Sequence, residues 1–230
     1  MNLQLLKERV SSIGSSFPEH WTVACDVQVN SCFFPHVIID NFFGADELKE
    51  IQHHEPRVAG KEIKILRSVM RKTGEVESEI FDSSFLSEIN HKYLPPLQDI
   101  LGILSERKRD IYEFTDFHLI STGPDYEHKI HDDVPRKLLS VVVYINPEKN
   151  NGTFIHRGKY SKSPAGEVEW RQNRAFIFSR LERKTWHSYA ADKINNRYCV
   201  IYNLGTDKVY KAHLAERHYF KYLKKRIKNE

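Results

Sequence analysis

HDDVPRKLLSVVVYIN, residues 131 to 146, is the stretch that decides the fold. A histidine and two acids stand directly before a nearly unbroken apolar run, residues 138–145. A run of this kind, rich in valine and leucine, predicts a buried strand. Polar groups placed against the start of such a strand are either an acidic turn or ligands held at the mouth of a barrel. The rest of the sequence favours the second interpretation.

The composition is that of a globular protein: 230 residues, 40% hydrophobic and 12% aromatic. Thirteen Phe and eleven Tyr favour a β-rich core. The net charge of +4 is too small to indicate a nucleic-acid partner. Three cysteines, an odd number without zinc-binding spacing, argue against a disulfide framework. With no secretion signal and no apolar run of about 20 residues, we expect a cytoplasmic protein without membrane contact; nothing in the sequence indicates an oligomeric state.

The pattern along the chain predicts a single domain, residues 1–230, with a β core at about 110–205. In that core, short stretches rich in β-branched and aromatic residues alternate with turn residues, which is typical of a sandwich or barrel. From residue 207 the pattern is helical and basic, so we expect a C-terminal basic helix over 207–230. The elements expected within 1–109 are an N-terminal helix, a strand centred on 37–39, a helix capped by Asp46, a strand within 61–71, and a helix over 85–104 broken at Pro95 and Pro96.

The residues before the apolar strand are suited to holding a metal ion. If the segment leading into the strand is extended, its period of two places His131 and Asp133 on one face and Asp132 on the other. A third ligand must come from another strand, and His187, in KTWHSYAA, is the candidate. Two imidazoles and one carboxylate on one side of an ion form the facial triad of non-haem Fe(II) oxygenases, with positions left open for substrate and oxygen. The sequence therefore predicts a metal site of His131, Asp133 and His187.

An arginine stands in a position to bind an anion near that site. Ten residues after His187, Arg197 opens the stretch RYCVIYNL, in which Arg197, Cys199 and Ile201 share a face. Cys199 and Ile201 suit a barrel interior, so Arg197 is expected to point inward as well. A buried guanidinium needs an anion, and its planar fork matches a carboxylate. A dicarboxylic cosubstrate, with one end on the metal and the other on Arg197, meets that need.

Other stretches match one known family in order. FFPHVIIDNFF (33–43) is similar to its opening phrase PFPHVVIDNFL, VVVYIN to its strand ending in Tyr-Leu-Asn, and NRAFIF to its Gly-Arg-Ala-Leu-x-Phe. WHSY followed by NRYCVIYNL fits its distal histidine and arginine. From about residue 33 to 204 the chain resembles the 2-oxoglutarate- and Fe(II)-dependent dioxygenases, specifically the prolyl 4-hydroxylase-like branch. The resemblance implies a mainly β fold with flanking helices, the double-stranded β-helix or cupin-like jelly roll.

The resemblance also implies the cofactors and one further site residue. Fe(II) and the cosubstrate 2-oxoglutarate are expected, and Tyr144 matches the tyrosine that contacts the cosubstrate's distal carboxylate in the oxygen-sensing prolyl hydroxylases. The chain departs from the family pattern in three places. Tyr126 precedes His131 by five residues instead of three, Asn173 replaces a glycine, and a double glycine is reduced to Asn151-Gly152-Thr153. The first departure leaves the role of Tyr126 open.

Several residues have a second interpretation. Asp132 is a solvated neighbour of the metal site, or the ligand itself if the register slips by one. His156 is a rival for the distal ligand but lacks a following strand with an inward arginine. His118 and His128 are expected to be structural or exposed, with His128 a candidate for a place beside the metal. Arg197 is alternatively a surface residue at a strand start.

The resulting hypothesis is a 2-oxoglutarate- and Fe(II)-dependent dioxygenase, an oxidoreductase that hydroxylates a peptidyl or small-molecule substrate with O2. It needs no catalytic residue beyond the metal centre. Loops at 57–80, 124–130 and 157–168 are expected to gate the substrate. The alternatives are a non-oxidative cupin-like metal-binding jelly roll, and a β-sandwich interaction module whose basic tail binds a partner.

Overall fold

The computed structural model describes residues 3–26, 34–60 and 62–216. Within these ranges the helices are α1 (Leu3–Ser12), α2 (Ala45–His53), α3 (Glu55–Val58), α4 (Ser83–Arg109) and α5 (Val209–Ala215). The strands are β1 (Thr22–Asp26), β2 (His36–Asp40), β3 (Lys64–Arg71), β4 (Val76–Ser78), β5 (Phe114–Thr122), β6 (Glu127–His131), β7 (Lys137–Asn146), β8 (Thr153–Ile155), β9 (Gly166–Val168), β10 (Ala175–Phe178), β11 (His187–Ala190) and β12 (Arg197–Gly205).

The strands form two antiparallel sheets. The large sheet has the order β1-β2-β10-β7-β12-β5-β3-β4, and the small sheet has the order β6-β11-β8-β9. Neighbours in the sheets are far apart in the sequence, as β7 lies between β10 and β12. The predicted mainly β fold with flanking helices is confirmed.

β7 separates two apolar cores. Val141 and Val143 of β7 pack on the helical side of the large sheet, with residues of α1, α2 and α4. Tyr144 points the other way, into a smaller core shared with Ile155 of β8 and Val168 of β9. Both faces of β7 are therefore covered, which explains why its sequence is a continuous apolar run instead of an alternating one.

The longest helix differs from its prediction. α4 runs from Ser83 to Arg109 and contains both Pro95 and Pro96. Its only non-helical residue is Ser105, with φ −160° and ψ 82°. The prediction of a break at the prolines was wrong. Buried Tyr93, Leu97, Ile100 and Leu101 keep one face of the helix on the core, and this packing offsets the two main-chain hydrogen bonds that the prolines remove.

Two expectations at the ends of helices also change. The N-cap of α2 is Gly44, and Asp46 lies in the first turn without capping it. There the carboxylate still interacts favourably with the positive end of the helix dipole. Of the basic helix expected over 207–230, α5 covers Val209–Ala215, and residues 217–230 lie outside the described part of the chain. None of the described helices combines the length and the apolarity needed to cross a bilayer.

An ionic contact fastens the chain after β12 to the start of β5. Glu113 accepts hydrogen bonds from Thr206 Oγ1 (2.7 Å) and from the main-chain N–H of Asp207 (2.9 Å), and it pairs with Lys208. The hydrogen bond from Lys208 is the main reason that the pKa of Glu113 falls from 4.5 to about 2.

Because the pKa of Glu113 is lower in the folded state, its contribution to stability is present above pH 4.5 and is lost as the pH falls towards 2. We expect Glu113→Gln to be less stable than wild type at pH 7, by a small margin because the pair is exposed to solvent. The margin should close between pH 4.5 and about 2 in urea unfolding curves. A margin that stays constant across this window would contradict the assignment, and adding Lys208→Met should cause little further loss.

Candidate metal centre

The pairing of two strands brings the predicted histidines together. His131 is the last residue of β6, His187 is the first residue of β11, and the two lie directly opposite each other in the small sheet. Their ring centroids are 4.2 Å apart. Asp133 follows β6 by two residues, and one ligand atom from each of the three side chains lies within 4.8 Å of the others. The described residues contain no other such group of histidine, cysteine and acidic ligands.

Main-chain hydrogen bonds orient both rings. His131 Nδ1 lies 3.0 Å from the carbonyl oxygen of Lys129, and His187 Nδ1 lies 2.8 Å from that of Thr185. A carbonyl oxygen only accepts, so each Nδ1 carries the proton and each Nε2 has a free lone pair. This arrangement is the usual one for a metal-binding histidine.

The electrostatics keep the three side chains in the form that binds a metal. Burial lowers the pKa of both His131 and His187, and their mutual proximity adds to the effect at His131. Burial alone raises the pKa of Asp133, but Lys137, His187 and Ser140 together hold it below its usual range. Lys137 Nζ lies 2.9 Å from Oδ1 of Asp133, and Ser140 Oγ lies 2.6 Å from Oδ2. At neutral pH the site therefore presents two neutral imidazoles and one carboxylate.

Sequence reasoning missed both hydrogen-bond partners of Asp133. A signal for Ser140 was available, because the period of two in β7 puts it on the same face as Tyr144. Lys137 carried no such signal, since its side chain reaches back from the strand start.

The donor set fits a metal of the Fe(II) type. Two imidazole nitrogens and one carboxylate oxygen on one side of an ion are the ligands of the 2-His-1-carboxylate triad. The other side faces a cavity of about 260 Å³. Its apolar wall includes Ile65, Ile120, Val142 and Ile201 from strands of the large sheet, and Ile63, which directly precedes β3.

Arg197 lies in the same cavity and has an unsatisfied donor. It opens β12 opposite Thr122 of β5, and Cys199, two residues on, is buried in the smaller core, so this face of the strand points inward as predicted. The guanidinium lies 3.8 Å from the ring centroid of Tyr189. Its Nε is buried and has no hydrogen-bond partner within residues 3–26, 34–60 and 62–216. A buried donor of this kind needs an acceptor, and a carboxylate is the natural one.

Tyr144 is close to Arg197 but lies behind the cavity wall. Its ring is fully buried, stacks on Trp170 at 4.5 Å, and lies 5.7 Å from the guanidinium carbon of Arg197. Its hydroxyl donates to Thr153 Oγ1 at 2.8 Å, and Thr153 is the residue that lines the cavity. Burial raises the pKa of Tyr144 to about 12, so the phenol keeps its proton.

The other histidines considered as ligands lie outside the cluster of His131, Asp133 and His187. His156 is buried, and its Nε2 is 2.7 Å from Ser188 Oγ, but it does not belong to the cluster of possible ligands. His128 packs edge-on against His131 with centroids 4.1 Å apart, and its Nδ1 is 2.9 Å from the hydroxyl of Tyr126. His128 and Tyr126 line the cavity, and so does His118, which is hydrogen-bonded to Asp116. The expectation that His118 is structural or exposed did not include this position, whereas His128 lies beside His131, the second place considered for it.

Asp132 is not a solvated neighbour of the metal site. Its side chain is only 9% exposed, and it accepts hydrogen bonds from Thr185 Oγ1 at 2.6 Å and from the main-chain N–H of Arg183 at 2.9 Å. It points away from the ligand cluster, as the period of two required.

Two of the three expected gating loops reach the cavity. The 57–80 segment contributes Ile63 and Ile65, which are 46% and 47% exposed, and the 124–130 segment contributes Tyr126 and His128. The 157–168 segment contributes no lining residue to this cavity.

Comparison with known proteins identifies the fold through solved structures and not through sequence. The sequence matches no protein-family model and no curated protein sequence. Among solved structures, an oxidoreductase of the 2OG-Fe(II) oxygenase family from Burkholderia pseudomallei has a TM-score of 0.52 and 13% identity over 88% of this chain and 93% of its own. A prolyl hydroxylase in complex with a hypoxia inducible factor oxygen degradation domain peptide fragment, from Trichoplax adhaerens, has a TM-score of 0.51 and 12% identity over 90% of this chain and 92% of its own. The chain has the fold of the 2OG-Fe(II) oxygenases.

The two-sheet arrangement of this fold explains how residues that are distant in the sequence meet at one cavity. The small sheet carries the two histidines, and the large sheet carries Arg197 on β12 and Tyr144 on β7. The predicted jelly roll and the predicted structural resemblance to prolyl hydroxylases are both confirmed.

Gly152 allows β8 to pack closely against β9. A Cβ at this position would lie 1.8 Å from the main-chain oxygen of Val168, which is far inside van der Waals contact. Since Val168 pairs with Thr153, a side chain at 152 would push β8 away from β9. We expect Gly152→Ala to lower the free energy of unfolding by about 1–3 kcal/mol.

Gly158 provides the matched control, because a Cβ there meets no atom within 4 Å. In urea unfolding experiments Gly158→Ala should lie within about 0.5 kcal/mol of wild type. Equal stability of the two variants would contradict the close approach at Gly152.

Proposed function

We propose that this protein is a 2-oxoglutarate- and Fe(II)-dependent dioxygenase that hydroxylates a peptidyl or small-molecule substrate. The observation that carries the proposal is a single cavity that holds both a two-histidine, one-carboxylate cluster and a buried guanidinium nitrogen without a partner. Together they match a metal ion and a cosubstrate that carries a second carboxylate.

Each residue then has a definite task. His131, Asp133 and His187 hold Fe(II), with their orientation set by the hydrogen bonds of the two Nδ1 atoms and by the two donors on Asp133. Arg197 binds the far carboxylate of 2-oxoglutarate. Bound Fe(II), with 2-oxoglutarate and O2, supplies an oxidant able to insert oxygen into a C–H bond.

Tyr144 supports the cosubstrate from behind the wall. Its hydroxyl orients Thr153 at the surface of the cavity. The guanidinium of Arg197, which lies over the ring of Tyr189, lines the same cavity. The phenol of Tyr144 remains protonated at neutral pH, and its proton is the one donated to Thr153. Charge-assisted hydrogen bonds to a carboxylate are the stronger kind, so this group of residues favours a dicarboxylate over a monocarboxylate.

The remaining cavity residues shape the substrate site. The isoleucines of β3 and β5 present an apolar surface, which excludes water from the reacting centre. No protein acid or base is assigned, and no catalytic residue beyond the metal centre is required. The prolyl hydroxylase of similar fold was solved with a peptide, and a peptidyl substrate is accordingly one of the two classes proposed here.

An anaerobic titration tests the proposal. Fe(II) is added to the purified protein, followed by 2-oxoglutarate, and the visible absorption is recorded together with binding by calorimetry. We expect a new visible band that requires both additions, and succinate after O2 is admitted. Metal binding without any response to 2-oxoglutarate would favour the cupin-like alternative, and the absence of metal binding would leave only the interaction module.

A further inference from the structure

A group of buried charges lies directly behind the metal centre. It consists of Lys108 at the end of α4, Arg180 after β10, Glu216 after α5, and Asp132; these four residues are called the Arg180 cluster below. Their side chains are 0%, 6%, 1% and 9% exposed, respectively. Two cations and two anions balance each other, so the cluster is neutral as a whole.

The contacts run in one line from the helices to the metal ligands. Lys108 Nζ lies 2.7 Å from Glu216 Oε1, and Arg180 Nη1 lies 2.5 Å from Glu216 Oε2. On its other side Arg180 reaches the metal loop: its Nε donates to the main-chain oxygen of Asp133, and its Nη2 lies 3.6 Å from Asp132 Oδ2. One guanidinium therefore holds the backbone of a proposed metal ligand and the side chain next to it.

The same line continues to a second ligand. Asp132 Oδ1 accepts a hydrogen bond from Thr185 Oγ1 at 2.6 Å, and the carbonyl oxygen of Thr185 accepts the Nδ1–H of His187 at 2.8 Å. The Arg180 cluster thus touches both of the segments that bring Asp133 and His187 together. These segments are far apart in the sequence. Asp132 is the side chain that joins them, and Arg180 holds both Asp132 and the main-chain oxygen of Asp133.

Stability alone does not account for the cluster. Moving charges out of water is costly, and buried ion pairs can often be replaced by apolar residues of similar volume without loss of stability. An apolar replacement, however, would leave no donor for the oxygen of Asp133. What the charges provide is direction, because a guanidinium fork fixes the groups it binds in one plane.

We propose that Arg180 is a positioning residue for the metal centre, itself held in place by Glu216 at the end of α5. The inference rests on the proposed metal site but not on 2-oxoglutarate or on the oxidation. Arg180 keeps the Asp133 carbonyl and the Asp132 carboxylate where the loop presents Asp133 to the ion. Thr185 carries the same constraint to His187. Metal affinity then depends on residues that touch no ligand atom, and it depends on how α5 is seated.

Co(II) binding tests this inference without turnover. Co(II) is titrated into wild type, Arg180→Gln, Glu216→Gln and Thr185→Val, and affinity is read from calorimetry and coordination geometry from the visible Co(II) bands. We expect Arg180→Gln to weaken Co(II) binding by about 10- to 100-fold, the range typical of groups that orient metal ligands. Glu216→Gln and Thr185→Val should weaken it in the same direction by less, and all three should alter the Co(II) bands.

Arg174→Gln is the matched control. Arg174 is also buried, and it is paired with Asp40 through two hydrogen bonds of 2.6 and 3.0 Å, but it contacts no metal ligand. Its loss should destabilise the fold while leaving the Co(II) affinity within about twofold of wild type, the usual effect of a change remote from a site. A general loss of packing would affect both arginine variants equally.

The outcomes separate the two proposals. If wild type binds Co(II), His187→Ala does not, and the variants of Arg180, Glu216 and Thr185 bind like wild type with unchanged bands, the inference is wrong and the proposed metal site stands. If wild type binds no Co(II), both fall. Should Arg180→Gln fail to fold, Glu216→Gln and Thr185→Val decide, since each removes one hydrogen-bonding or charged group from a side chain of nearly unchanged shape.

Discussion

Replacement of His187 by alanine is expected to weaken Fe(II) or Co(II) binding by at least about 100-fold, more than the 10- to 100-fold typical of losing a group that only orients a ligand. The imidazole is buried, and its Nδ1 is occupied by the Thr185 carbonyl, so only Nε2 is available to the ion. Without it, two ligands remain, and His131 and Asp133 lie on one short segment that cannot surround a cation. Anaerobic calorimetry measures the loss directly.

The control for this experiment is His156→Ala. His156 is the rival ligand by sequence, it is 5% exposed, and Ser188, the residue it contacts, is adjacent to His187. A general disturbance of the small sheet should therefore appear in both variants. We expect His156→Ala to bind metal as wild type does. Loss of binding in His156→Ala with retention in His187→Ala would reverse the assignment of the distal ligand.

Replacement of Arg197 by methionine is expected to weaken 2-oxoglutarate binding by about 10- to 100-fold without affecting the metal. The reason is the buried Nε of Arg197, which has no hydrogen-bond partner among the residues that the structure describes. A hydrogen bond to a charged group contributes about 1.5–3 kcal/mol, and each 1.4 kcal/mol is tenfold in affinity. Methionine fills much of the same space beside Tyr189 but offers no donor.

The specificity of this effect is tested with a monocarboxylic keto acid of the same chain length. 2-Oxopentanoate has the same keto acid end as 2-oxoglutarate and lacks the far carboxylate. Wild type and Arg197→Met should bind it equally, measured on the Fe(II)-loaded protein in the absence of oxygen. If Arg197→Met loses affinity for both acids to the same extent, Arg197 shapes the cavity and does not bind the carboxylate. Unchanged binding of both would remove the cosubstrate assignment altogether.

The positions of the main strands along the chain and the faces of those strands were predictable, because both depend on local sequence patterns. The run at 138–145 identified a strand covered on both sides, and alternation in RYCVIYNL placed Arg197 on the inward face. At Pro95 and Pro96 the local rule failed, because packing of α4 on the core outweighed the proline penalty. At the start of α2 the expected cap, Asp46, lies in the first turn, and Gly44 is the N-cap.

The candidate site was predictable only in part, and for a comparable reason. His131 and Asp133 are near neighbours, so the period of two was enough to place them together. Ligand chemistry and strand alternation made His187 and Arg197 candidates, and the resemblance to a known family supported them, but no local rule brings residues that far apart to one site. Thr153 and Lys137 were not foreseen, since their presence at the cavity depends on how the two sheets face each other.

By itself the sequence determined what each segment becomes: which stretches are strands, which side of each strand is apolar, and which residues have the chemistry of ligands. Only the tertiary structure decided which of these residues meet. It placed His131 opposite His187. It left the Nε of Arg197 in the same cavity without a hydrogen-bond partner among the described residues. It also brought the side chain of Arg180 into contact with both Glu216 and the main-chain oxygen of Asp133. The physical reason is range. Side-chain alternation and helix propensity act over a few residues, whereas the pairing of β6 with β11 and the burial of the Arg180 cluster depend on the closure of the whole chain.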